Sequence, residues 1–279
     1  MRVRLFKGGH CTHKEQMVIR TGRRATVAFP SMFALIEHPT QGPMLFDTGY
    51  GQPFFEATRY FPGRFYRMLT PVQLAPHETA VAQLQQIGYA PEDIRHILIS
   101  HFHGDHVAAL RDFGQARLVF LESGYRHVKP LKGIRAVRLG YLPSVLPDDF
   151  DSRALPVSDS SGHLQRELPP FGRVYDLFGD GLIQLVPLEG HFCGQMGAWL
   201  QTEAGPLFLI ADACWYRASF EKLILPHPLA MLLMHNPDRY RQDLARIHLF
   251  AHQHPEALIV PSHCPPSIHA YMSQAAVSA

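Results

Sequence analysis

Three imidazoles and a carboxylate fall within six positions, His101-Phe102-His103-Gly104-Asp105-His106, directly after the apolar run Ile97-Leu98-Ile99. Histidine and aspartate bury poorly unless paired or metal-bound, so a cluster this dense is not a packing device. Imidazole and carboxylate donors with no thiolate among them suit zinc or another first-row divalent ion. An open catalytic zinc takes three protein ligands, so the local donors are better divided between two ions, and more donors must come from elsewhere. The chain supplies them, each beyond a short apolar run: His191 after 182–188, Asp212 after 207–211 and His263 after 258–260. Upstream, Met44-Leu45-Phe46 leads into Asp47-Thr48-Gly49.

This ordered set resembles the metallo-β-lactamase superfamily, whose pattern is H-x-H-x-D-H, then His, Asp and His, with an Asp-Thr-Gly turn upstream. The resemblance runs from the strand before Asp47 to His263. It implies an α/β fold, the αββα sandwich of two mixed β-sheets flanked by helices, with two metals at one edge. On that pattern His101, His103 and His191 hold one ion, Asp105, His106 and His263 the other, and Asp212 bridges them. Zinc is the expected metal, with iron or manganese as alternatives. Within the superfamily the chain is most similar to the N-acyl homoserine lactone lactonases. The shared markers are Gly-His-Cys at 9–11, Phe46-Asp47-Thr48-Gly49, Asp212-Ala213, and a helix over 238–252 leading to Pro261-Ser262-His263. Those lactonases place a substrate-facing tyrosine three residues after the bridging aspartate. Here that position is Trp215, and the neighbouring Tyr216 is the candidate for the role.

The implied chemistry is hydrolysis. A dinuclear site turns bound water into hydroxide near neutral pH, and the hydroxide attacks an ester-type carbonyl. Asp105 holds the second metal and orients the nucleophile. Asp47 accepts a ring N–H from a coordinating histidine, its plainer alternative being a turn former before Thr48-Gly49. The expected substrate is a small molecule, a lactone with a hydrophobic acyl or aromatic group. One alternative is thioester hydrolysis within the same superfamily. Residues 265–279 contain no Lys or Arg, which counts against a glutathione thioester. The other is a metal-stabilised, non-catalytic binding or regulatory module.

The elements that must position these residues read as a single α/β domain over 1–279, long enough for a substantial core. A net charge of +2 demands no nucleic acid. No segment has the roughly 18 apolar residues of a membrane span, and the N-terminus lacks a secretory core, which makes a cytoplasmic location the default. The four cysteines form no disulfide framework. Cys193, Cys214 and Cys264 follow proposed ligands and read as small buried residues, while Cys11 is assigned to a Gly-rich loop. Segments 31–37 and 44–47 read as one hairpin, and 196–202 with 206–211 as another. A helix over 78–87 stops at Gly88. Asn236-Pro237 starts a second helix, with Tyr240, Leu244, Ile247 and Ala251 on its apolar face. Two apolar stretches, 54–70 and 215–234, suit core, pocket wall or a homodimer interface. Residues 148–170 show no period and read as a loop or lid beside the site.

Overall fold

Runs such as Met32–Ile36 are apolar at every position, not at alternate ones, and all five side chains are inaccessible to solvent. That is the pattern of a strand covered on both faces. In the computed structural model, which describes residues 1–277, such runs build two mixed sheets. The first holds β1 (Arg2–Lys14), β2 (Thr26–His38), β3 (Gly42–Phe46), β4 (Val72–Gln73), β5 (His96–Leu98), β6 (Arg117–Leu121) and β7 (Ala154–Val157). Its order is β4-β1-β2-β3-β5-β6-β7. The expected hairpin is present as the antiparallel β2–β3 pair, and β3, β5 and β6 then run parallel.

The second sheet holds β8 (Leu164–Leu168), β9 (Gly172–Asp176), β10 (Ile183–Pro187), β11 (Met196–Thr202), β12 (Gly205–Ala211) and β13 (Leu258–Pro261), in the order β13-β12-β11-β10-β9-β8. It is an antiparallel meander except at β12–β13, which are parallel. Helix Pro237–Gln253 begins where Asn236 Oδ1 accepts the Arg239 N–H at 3.0 Å. It buries Leu244, Ile247 and Phe250 in one apolar cluster with Trp199 and Phe208 of this sheet. Helix Ala80–Gln86 starts under a Thr79 cap and ends before Gly88, whose φ of +88° only glycine adopts readily.

The sequence leads to one domain, 1–279; contacts within the chain gather into two compact units. One comprises Val3–Thr12 and Ala28–Pro156, around the first sheet, and the other Met1–Arg2, His13–Val27 and the chain from Val157 on, around the second.

Two expectations are corrected. Residues 148–170 are not a structureless lid: they contain helix Phe150–Arg153, β7 and β8. Strand β8 is the last in its sheet and mostly exposed, so Leu-Gln-Arg-Glu-Leu shows no buried alternation. Cys11 lies in β1 opposite Val72, not in a loop.

Candidate functional site

In the first unit, Phe46 of β3 pairs with Leu98 of β5, so two parallel strands end side by side. Loops beyond the carboxyl ends of parallel strands are where α/β sheets present ligand-binding groups. Asp47 follows β3 with a left-handed φ of 59°, a conformation that few residues but Gly, Asn and Asp take without cost. Its carboxylate accepts the Ser100 N–H at 2.8 Å and the Ser100 hydroxyl at 2.7 Å, and lies 2.8 Å from His106 Nδ1. Ser100 Oγ is also 3.0 Å from His101 Nδ1. With Nδ1 engaged in both rings, Nε2 is the nitrogen each can offer a cation. Burial raises the Asp47 pKa, while the His106 ring and the Ser100 hydrogen bonds pull it back down.

The rest of the Asp-Thr-Gly turn clamps the same loop. Thr48 gives both its N–H (2.9 Å) and its hydroxyl (3.0 Å) to the His106 carbonyl. At Gly49, φ is +69° and a Cβ would stand 2.8 Å from Gly8 Cα, so neither conformation nor space admits a side chain. Phe102 points away from its neighbours in the motif, into an aromatic cluster with Phe120, Tyr125, Tyr141 and Phe150. The Ser31 hydroxyl donates to the Asp105 carbonyl at 2.6 Å. His103 lies against Gly140, where a Cβ would meet the imidazole at 2.6 Å.

In the second unit the donors gather on one oxygen. A register shift between Leu209 and Ala211 interrupts the β12–β13 ladder, and Ala211 takes a φ of 47°. The carboxylate that follows, Asp212, receives the Trp215 indole N–H on Oδ2 at 2.9 Å. His263 Nε2 lies 3.2 Å and His191 Nε2 3.5 Å from that same atom. His191 sits in a turn held by backbone: its carbonyl accepts the His235 N–H, and the Gly190 carbonyl accepts the Asn236 N–H, both at 3.0 Å. The Gly190 N–H donates to the buried Asp243 carboxylate at 3.0 Å, and a Cβ at Gly190 would collide with the Tyr240 backbone at 2.3 Å. Burial pushes the Asp243 pKa up to about 6 against the pull of Arg239, the Gly190 N–H and Arg246. His191 Nδ1 faces the Met234 thioether at 3.3 Å.

The donor spacing can be tested against a metal within each unit. Two donors on one tetrahedral zinc at 2.0–2.1 Å stand about 3.3 Å apart. In the first unit His101 Nε2 and His103 Nδ1 are 3.0 Å apart, and His106 Nε2 and Asp105 Oδ2 are 3.5 Å apart. The second unit gives the 3.2 and 3.5 Å separations from Asp212 Oδ2. All seven side chains are buried or nearly so, and imidazoles with carboxylates are donors that divalent first-row ions accept. Both sets fit such a cation.

Thus His101, His103, Asp105 and His106 stand together at the ends of the first sheet, and His191, Asp212 and His263 at the ends of the second. Tyr216, the candidate for the substrate-facing role, is turned toward Glu15. Its hydroxyl bonds Glu15; burial, with the Glu15 charge behind it, raises its pKa to about 12, and Trp215 is the aromatic that reaches Asp212. Cys214 and Cys264 are buried and bonded to local backbone and Ser267, as small core residues are. Among the two apolar stretches, Phe54, Met231 and Met234 are buried, while Tyr60, Phe61, Leu232 and Leu233 are exposed. Ser100, Gly140 and Asp243 carry no role in the sequence reading, and Met234 enters it only as the end of the apolar stretch 215–234. Ser100 alone had a local signal, standing beside His101.

Residues 27–119 match the family model described as the metallo-beta-lactamase superfamily. A probable metallo-hydrolase of Mycobacterium tuberculosis (strain ATCC 25618 / H37Rv) is 29% identical over 245 residues, covering 83% of this chain and 74% of the relative. An N-acyl homoserine lactonase of Agrobacterium fabrum (strain C58 / ATCC 33970) is 26% identical over 245 residues, covering 88% of this chain and 85% of the relative. Among solved structures, an N-acyl homoserine lactone hydrolase with N-hexanoyl-L-homoserine at its catalytic metal center matches with a TM-score of 0.71 at 18% identity, over 96% of this chain and 95% of that one. A dizinc quorum-quenching lactonase matches with a TM-score of 0.63 at 14% identity, over 94% and 87% of the two chains. At these identities the structural matches speak for the fold alone.

Proposed function

Because this chain carries a metallo-beta-lactamase superfamily domain, we propose that it is a dinuclear metal-dependent hydrolase that opens lactones bearing a hydrophobic acyl group. The observation that carries the proposal is the Asp47–Ser100 network, a buried carboxylate and hydroxyl spent on turning His101 and His106 so that both offer Nε2. Rings held by Nδ1 with Nε2 left to donate are what a cation site built on these histidines requires. The named lactonase relatives support the reaction class.

In this reading His101, His103 and His191 would hold one divalent ion, Asp105, His106 and His263 the other, and Asp212 would serve both. When bound, the ions supply Lewis acidity and lower the pKa of water to about 7. Zinc is the proposed metal, with iron or manganese as alternatives. Asp105 orients the attacking water and takes its proton. The Trp215 indole N–H fixes the Asp212 carboxylate. Since that donor goes to Asp212 and the Tyr216 hydroxyl to Glu15, substrate selection rests on apolar contact more than on an aromatic donor.

The test measures metal content of the purified chain together with hydrolysis of N-acyl homoserine lactones of increasing acyl length and of matched acyl thioesters, before and after chelation. The expected result is two ions per chain and lactone turnover that rises with acyl length, disappears with chelator and returns with zinc. Faster thioester than lactone turnover would replace the substrate assignment. A metal-loaded chain that hydrolyses neither would point to the non-catalytic module.

A further inference from the structure

The segment from Ala57 to His77 holds Arg59, Arg64 and Arg67 and no acidic residue. It contains helix Gly63–Leu69, and its large apolar side chains are turned outward: Tyr60 is 69% exposed, Phe61 66%, Met68 61%, Leu69 58% and Phe65 43%. Isolated exposed apolar residues are ordinary, but five within ten positions are not. The helix packs against a second short helix, Gly133–Val137, which belongs to another acid-free stretch, Ser123–Pro147. There Ile134 is 54% exposed, and Lys132, Arg135 and Arg138 are exposed around it. Among the described residues none of these six cations pairs with a carboxylate. The Arg59 guanidinium lies over the Tyr60 ring, 5.2 Å from its centroid.

We propose that this face, built on Arg59–Leu69 and Lys132–Arg138, docks on an anionic lipid surface. Aromatic and aliphatic side chains interleaved with arginine and lysine are what an interfacial segment needs, since the apolar groups enter the acyl boundary while the cations meet headgroup phosphates. Charge chooses the occupant. In a symmetric pair of copies, joined through this face, each copy would set its own cations against the other's with no acidic side chain inside either stretch to answer them. An anionic bilayer answers the five exposed ones, while Arg67 is half-buried with its guanidinium over the Phe55 ring. No helix among the described residues is long and apolar enough to cross a membrane, so the association is peripheral. The proposal does not depend on the hydrolase reading.

The experiment is flotation of the full chain with phosphatidylcholine vesicles that contain or lack phosphatidylglycerol, at low and high salt. Binding should require the anionic lipid and fall with salt, because exposed charges are screened. Each surface cation contributes about fivefold to affinity, so Arg64→Glu with Arg135→Glu should lower it at least about tenfold, and Phe61→Ser with Phe65→Ser should lower it with the charges intact. Melting curves check that both variants fold, which exposed positions favour. Absence of binding to anionic vesicles, or equal binding by both double variants and the parent, overturns the proposal. So does a parent that is dimeric, leaves vesicles alone and becomes monomeric on Phe61→Ser with Phe65→Ser. Preference for a single-stranded oligonucleotide over vesicles overturns it as well.

Discussion

The two groups of donors are held by opposite means. At the ends of β3 and β5, the rings of His101 and His106 are turned by Asp47 and Ser100, which need hold no metal themselves. At the ends of β12 and β13, Asp212 is at once donor and hub, with Trp215, His263 and His191 all converging on its Oδ2, and His191 Nδ1 faces the Met234 thioether. A carboxylate that accepts a ring N–H raises the basicity of the opposite nitrogen, whereas a methionine sulfur is a weak acceptor. The first set is therefore oriented through hydrogen bonds behind its rings, and the second through convergence on one carboxylate oxygen.

The largest effect expected is at the hub. Asp212→Ala removes the atom on which the second set converges and should lower turnover by about a thousandfold, since cation chemistry supplies several kcal/mol of barrier reduction. Metal content per chain should fall with it, and unchanged stoichiometry would remove Asp212 from its assigned place. A sharper comparison sets Asp47→Asn beside Met234→Leu. Loss of the ring-orienting carboxylate should weaken zinc retention in a chelator competition by about 10–100-fold, while the isosteric replacement of the thioether should change it less than about threefold. Equal losses would mean that the two halves are not held differently at all.

The smallest effect is a pH dependence behind His191. Asp243 titrates near 6 in the folded chain, above its ordinary value of 3.8. Between about pH 4 and 6 the folded state keeps a proton that the unfolded chain has released, so Asp243 makes stability fall as pH rises through that window. Relative to an Asp243→Asn variant, the parent should lose on the order of 2 kcal/mol between pH 4 and pH 7. Parallel melting curves for the two proteins across that range would show that the carboxylate sits in a milder environment.

What sequence reveals follows from where the information resides. The His101–His106 motif is legible because its donors are local and because each later candidate donor, His191, Asp212 or His263, follows a recognisable strand. Both hairpins and helix Pro237–Gln253 are legible for similar reasons: apolar runs, turn residues, and an Asn-Pro start. Gly140 is silent because it acts across space by lacking a Cβ beside His103, and Met234 is legible only as part of an apolar stretch, not as the sulfur that faces His191. Strand β8 is silent because an exposed edge has little reason to alternate. Tyr216 shows the limit of spacing as a guide: one position along the chain turns the phenol to Glu15 and leaves the indole of Trp215 with Asp212.

Ala211 carries a methyl group through a backbone region that costs alanine about 1–2 kcal/mol. A glycine there would fold with less resistance, yet it would let the next peptide swing and blur the aim of the carboxylate behind it. Thermal endurance and grip on cations consequently pull in different directions at position 211. A laboratory lineage selected only for heat resistance is expected to drift toward glycine there and to emerge sturdier but poorly metallated.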